Sequence, residues 1–140
     1  MDEPVRRALA RDRLIDITTT GRVSGRPRRI ETWFYRSGGG VYLTGLPGRR
    51  DWYANLLAHP AFTFHLKESA TADLPARATP VTDPTARRAI LAPIVAELGR
   101  PGDLEAWAAG SPLLRVDFGD GVDAPGRAGT GPDAVGEDRP

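Results

Sequence analysis

LIDITTTGRVSGRPRRIETWFYR, residues 14 to 36, holds two runs of strand-forming sequence around a short basic connection. From Leu14 to Thr20 β-branched residues are dense, and Ile15, Ile17 and Thr19 fall on one side of an extended chain. From Arg28 to Arg36 the alternation resumes, with Ile30, Thr32 and Phe34 on one face and Glu31, Trp33 and Tyr35 on the other. The connection, Gly21 to Pro27, consists of residues that turn a chain. No crossover helix separates the runs, so the pattern predicts an antiparallel pair at the start of a β-rich domain.

Downstream, Gly38 to Gly40 predict a hairpin into a strand from Val41 to Gly45. Asp51 is the expected N-cap of a helix from Trp52 to Ala58 that Pro60 stops. Ala61 to Lys67 alternates, with Phe62, Phe64 and Leu66 inward and Thr63, His65 and Lys67 outward. The next strand, Ala72 to Val81, is interrupted at Pro75, a residue suited to an edge or a bulge. Asp83 and Pro84 open the longest helix, with Ile90, Leu91, Ile94, Val95 and Leu98 as its buried stripe and Gly99 as its stop. A short helix around Leu104 to Ala108 leads to a last strand, Leu113 to Phe118. Upstream, Val5 and Leu9 predict a short amphipathic helix over Glu3 to Asp12.

The expected fold is α+β, a barrel of about six mostly antiparallel strands with short helices inserted late in the order. Residues 1–13 form a helical segment, 14–118 the barrel and 119–140 a tail. The tail is glycine, proline, alanine and aspartate with almost no large apolar residue, and is expected to be disordered. No Gly-rich turn joins a strand to a crossover helix, which argues against a Rossmann dinucleotide site.

The 140 residues suffice for one domain, and 19 basic against 18 acidic side chains give a net charge of +1. Such a balance generates no long-range field for nucleic acid. Without cysteine there are no disulfides, thiolate metal sites or cysteine nucleophiles. The charged N-terminus lacks the apolar core of a signal peptide, and no apolar run reaches the roughly 18 residues of a membrane span. A cytoplasmic protein without a transmembrane segment is expected.

The stretch most suggestive of chemistry is TTGRVSGRPRR, Thr19 to Arg29, which contains no acid. Its glycines can turn N–H groups toward one point, Ser24 can donate a hydroxyl, and Arg22, Arg26 and Arg28 can fork onto phosphate oxygens. A solvated basic turn has the same composition. A second basic loop, Thr44 to Trp52, contains Gly45, Arg49 and Arg50 just before a helix. Trp33, Tyr35, Trp52 and Tyr53 are candidates to flank a flat ring, at least two of them being expected in the core. His59 and His65 are expected to be ordinary polar residues. With no paired carboxylates and no histidine cluster, hydrolytic and metal chemistry have no residues to rest on.

GRVSGRPRR, then WYANLLAHP followed by AFTFHLK, then DLEAWAAGSPLLRVDF together resemble the deazaflavin-dependent nitroreductase (F420-dependent quinone reductase) family over Leu14 to Phe118. The resemblance implies a split β-barrel like that of the FMN-binding pyridoxamine phosphate oxidases, with coenzyme F420 in a groove. It implies a phosphate-binding turn at Arg22, Ser24, Gly25, Pro27 and Arg28, a ring-side segment at Thr44 and Gly45, and helix contacts from Trp52 and Asn55. Arg26, Arg49 and Arg50 would compensate for Val23 and Leu46, which stand where relatives carry lysine. Ile30 and Glu31 stand where relatives carry Asn-Pro, and a carboxylate near a phosphate would repel it. The implied reaction passes a hydride from reduced F420 to a quinone, nitroaromatic or enone, with residues 3 to 12 helping to close the acceptor site. FMN is the alternative cofactor, and a non-catalytic carrier of a tetrapyrrole or fatty acid the alternative function. The expected partner is a small-molecule acceptor, not nucleic acid, and pairing of two barrels as a homodimer is compatible with the resemblance.

Overall fold

A computed structural model describes residues 1–119; the tail expected to be disordered lies, but for Gly119, outside the described residues. The chain runs α1 (Glu3–Arg11), β1 (Leu14–Thr20), β2 (Pro27–Trp33), β3 (Tyr35–Ser37), β4 (Gly40–Thr44), α2 (Asp51–Ala58), β5 (Ala61–Leu66) and β6 (Ala72–Pro80). It continues through α3 (Pro84–Glu97), a 3-10 turn (Pro101–Asp103), α4 (Leu104–Gly110) and β7 (Leu113–Phe118). The strands form one sheet in the order β2-β1-β5-β6-β7-β4-β3, and every pairing is antiparallel.

The expected single strand from Arg28 to Arg36 is in fact two. Phe34 alone separates β2, which pairs with β1, from β3, which pairs with β4. These are the outermost strands of the sheet, so its two ends are joined covalently through one residue and the sheet must curl. Phe34 is 1% exposed at this junction, where its ring meets Phe64 edge-on at 5.2 Å. The alternation of the sequence continues across the break, but the partner strand changes.

One hydrophobic cluster fills the barrel, centred on Ile15, Ile17, Phe34, Phe64, Leu66 and Leu114 and reached by Leu9 of α1 and Leu56 of α2. A second lies between the outer face of β4 and β7 and helices α3 and α4, where Leu91, Ile94, Val95 and Trp107 meet Tyr42 and Leu113. The Asp83 carboxylate caps α3 by accepting from the N–H of Ala86 at 2.8 Å. Asp51, expected as the cap of α2, is its first helical residue; Arg50 occupies the cap position and gives no side-chain bond.

Pro75 lies in β6, an interior strand of the sheet and not an edge. Its carbonyl accepts from Gly119 N–H at 2.6 Å, just past the end of β7. The N and C=O of one strand residue point the same way, so the missing N–H faces Gly119, past the last residue of β7.

The outer face of β1, β2 and β5 carries a charged network. Lys67 bonds Asp16 at 2.7 Å and also Glu31, while Arg29 bonds Asp16 at 3.0 Å. The Lys67 ammonium, followed by the Arg29 guanidinium, holds the Asp16 carboxyl below its ordinary range despite partial burial. A depressed carboxyl stabilises the fold above its unfolded pKa of about 3.9, and that contribution is lost as pH falls through the folded value. Asp16→Asn should therefore cost about 1 kcal/mol at neutral pH. Thermal melts should show the gap between variant and native protein closing as the pH is lowered toward about 2.

Candidate functional site

The turn between β1 and β2 is built from its own backbone. Gly21 N–H donates to the Arg26 carbonyl at 2.8 Å, Gly25 N–H to the Gly21 carbonyl at 2.8 Å, and Arg26 N–H to Ser24 Oγ at 3.1 Å. Gly25 has φ 71°, a conformation glycine adopts without steric cost. At Gly21 a Cβ would come within 2.7 Å of Ser24 Oγ. Gly21→Ala should displace that hydroxyl and cost about 1 kcal/mol, measurable by urea unfolding.

Asn55, 3% exposed on α2, anchors the turn. Its Oδ1 accepts from the backbone N–H of Arg22 at 3.0 Å and from Arg22 Nη1 at 2.9 Å, while Nδ2 donates to Thr19 Oγ1 at 3.3 Å. Arg22 Nη2 also reaches Asp51 at 3.4 Å. The expected cradle of N–H groups is thus largely used inside the protein, since Gly21, Arg22, Gly25 and Arg26 all donate internally. Among the described residues, the guanidinium groups of Arg26, Arg28 and Arg49 have no hydrogen-bond or salt-bridge partner.

The β1–β2 register decides where β2's side chains point. Arg28 is opposite Thr19 and Ile30 opposite Ile17, both interior residues of β1, whereas Glu31 is opposite Asp16 on the outer face. Arg28 and Ile30 therefore project to the inner side of the sheet, and yet Arg28 is exposed and Ile30 is 37% exposed. The barrel is split here, and a groove of about 400 Å³ opens between β2 and α2. Thr19, Pro27, Arg28, Arg29 and Ile30 line one side, Asp51, Trp52 and Asn55 the other. Its size is within the usual range for a ligand site. The carboxylate expected to repel a phosphate is on the far face of the strand, bonded to Lys67.

Of the other expected residues, Ser24, Gly25 and Arg26 form the turn, and Pro27, Arg28, Trp52 and Asn55 line the groove. Of the second basic loop, residues 44–50 are not among the lining residues, whereas Asp51 and Trp52 are. Thr44 is 4% exposed and its hydroxyl donates to the Pro112 carbonyl at 2.6 Å. Arg50 folds back onto the carbonyls of Leu46 and Arg49, at 2.8 and 3.1 Å, and packs beside Gly45. Val23 and Leu46 are 93% and 49% exposed. Of the four aromatic candidates only Trp52 faces the groove; Tyr35 and Tyr53 pack against the two cores, and Trp33 stacks under Arg13 at 5.1 Å. Helix α1 lies at the other end of β1, with Arg36 donating to the carbonyls of Leu9 and Asp12 at 2.9 and 2.8 Å. Four lining residues, Thr19, Arg29, Ile30 and Asp51, are not among the expected site residues; register with Ile17 is the signal for Ile30, and it requires knowing the turn.

No helix among the described residues is long and apolar enough to cross a membrane. No group of three or more potential metal ligands occurs among them.

A family model described as F420H(2)-dependent quinone reductase matches residues 3–99. Among solved structures, an F420 reductase is similar at 22% identity and TM-score 0.58, over 86% of this chain and 97% of that one. A pyridoxamine 5′-phosphate oxidase-like protein from Listeria innocua is similar at 12% identity and TM-score 0.61, over 83% and 91%. HutZ, the heme storage protein from Vibrio cholerae, is similar at 16% identity and TM-score 0.63, over 87% and 93%. Identities this low carry the fold alone, which is the pyridoxamine 5′-phosphate oxidase-like split barrel.

Proposed function

The chain belongs to the F420H(2)-dependent quinone reductase family, and from that premise we propose that its groove between β2 and α2 holds coenzyme F420 for the reduction of a quinone, nitroaromatic or enone. The observation that carries this reading is Arg28, an unpaired guanidinium on the interior face of a strand, in a groove whose next interior residue is Ile30 and whose opposite wall includes Trp52. A cation there lacks a protein partner and fits a ligand phosphate, while Ile30 and Trp52 offer apolar surface to a flat ring.

When bound, reduced F420 supplies a hydride for the acceptor. In this assignment Arg28 and Arg26 hold the phosphate, the Ser24 hydroxyl donates to it, and the open first turn of α2 adds favourable dipole. Ile30 and Trp52 exclude water and set the plane of the ring. Asn55 acts through Arg22 as a positioning residue. No side chain is assigned as a proton donor, and Thr44 is a weak candidate because its hydroxyl already serves Pro112.

Fluorescence titration with F420, run in parallel with FMN, tests the assignment. Tight binding of F420 with weak or no binding of FMN is expected, followed by acceptor-dependent oxidation of the reduced coenzyme with quinones, nitroaromatics or enones. Tight binding of FMN alone would replace the assignment with a flavin enzyme. Binding of neither, with a tetrapyrrole or fatty acid retained on purification, would replace it with a carrier.

A further inference from the structure

On the outer face of the sheet, away from the groove, three side chains from three strands are linked in a line. Thr18 Oγ1 of β1 is 2.7 Å from His65 Nε2 of β5, and His65 Nδ1 is 2.8 Å from Asp73 Oδ1 of β6. His65, expected as an outward polar residue, is only 6% exposed, because neighbouring strands carry side chains over it. Asp73 is directly opposite His65 in register, and Asp16 flanks it on the other side.

The Asp73 carboxylate sets the direction of the hydrogen bonds when the imidazole is neutral. The Asp73 carboxyl is held below its ordinary range, first by its bond to His65, and so is an acceptor at neutral pH. In the neutral imidazole, Nδ1 therefore carries the proton and Nε2 presents a lone pair, to which the Thr18 hydroxyl must donate. A hydroxyl donating to Nε2 of a histidine whose Nδ1–H is held by a carboxylate is the arrangement that activates an oxygen nucleophile. The register also places Arg29 opposite Thr18 on the same face. Its Nε is engaged by Asp16 at 3.0 Å, and its charge is available to an oxygen anion developing beside Thr18.

We propose that Thr18 is a self-acylation site, activated by His65 and Asp73, for small donors with an activated acyl group such as thioesters, acyl phosphates or aryl esters. The groove between β2 and α2 does not include the triad, so the reactivity of the donor takes the place of binding there. Thr18 Oγ1 bonds to the acyl carbon as its proton passes to His65 Nε2. The intermediate collapses with loss of the thiolate, phosphate or aryl oxide, and His65 returns the proton to the leaving group or to water. The product is an O-acyl threonine.

The probe is p-nitrophenyl acetate on the full chain, with intact-mass and peptide mass spectrometry as readouts and circular dichroism to verify folding. One acetyl group on Thr18 is expected, lost in Thr18→Ala, retained in Thr18→Ser and reduced at least tenfold in rate in His65→Gln. Asp73→Asn should slow labelling while leaving Thr18 present, a change that a purely structural ladder would not produce. Absence of label at Thr18, label confined to Lys67 or the N-terminus, or a Thr18 rate indifferent to His65→Gln would overturn the proposal. If His65→Gln does not fold, the Asp73→Asn rate decides it: a rate equal to native would overturn the proposal.

Discussion

Arg28→Ala is expected to weaken F420 binding roughly 5- to 150-fold, about 1–3 kcal/mol, the range for one charge-assisted hydrogen bond. The size follows from position. The strand register puts Arg28 on the interior face beside Thr19, at the mouth of the groove, where a bound phosphate would displace the water around it. Because its guanidinium has no partner among the described residues, the substitution removes no native bond, and stability should change by no more than about 0.5 kcal/mol. Arg28→Lys keeps the charge but not the forked geometry, and should recover part of the affinity. Fluorescence titration at two salt concentrations measures both effects, since removing a phosphate contact also flattens the salt dependence. Native affinity in Arg28→Ala would place the phosphate elsewhere.

The largest loss of stability should come from Asn55→Ala, about 2–4 kcal/mol, or a fall in Tm of roughly 10 °C. Alanine removes three hydrogen bonds at a position 3% exposed, and strands the Arg22 backbone N–H and the Thr19 hydroxyl. Asn55→Asp keeps both acceptor bonds to Arg22 but loses the donor to Thr19, and should fall between native and alanine. Because Asn55 holds the turn that precedes Arg26 and Arg28, Asn55→Ala should also weaken F420 binding even where the variant is fully folded. Arg28→Ala, by contrast, lowers affinity at unchanged Tm. Urea unfolding and titration on the same preparations separate the two; an Asn55→Ala protein with native Tm would show that the clamp is dispensable.

Much of the architecture is written in local pattern. β1 and β7 have the boundaries that alternation and β-branching predict, and α3 begins at its Asp-Pro and ends just before Gly99, whose φ is 75°. These elements depend on periodicity and on residues whose backbone preferences are intrinsic. The arginine-rich turn was legible as a candidate for anion binding for the same reason: its composition does not depend on what surrounds it.

What depended on partners was not legible. Alternation runs unbroken from Arg28 to Arg36, and nothing local says that β2 and β3 pair with strands at opposite ends of the sheet. Pro75 reads as an edge or a bulge because the sequence cannot say where the neighbouring strand ends. Glu31 reads as a threat to a phosphate until register places it on the other face, and nothing local says that Thr44 and Arg50 spend hydrogen bonds on carbonyls of the protein itself. The sequence by itself determined which segments extend, turn or coil, and which loop carries the positive charge, because those follow from spacing and residue type. Tertiary structure alone decided which arginine is left unpaired in a groove and which histidine is tied between a threonine and an aspartate, because hydrogen bonds between distant strands are set by register and closure, which short-range pattern does not encode.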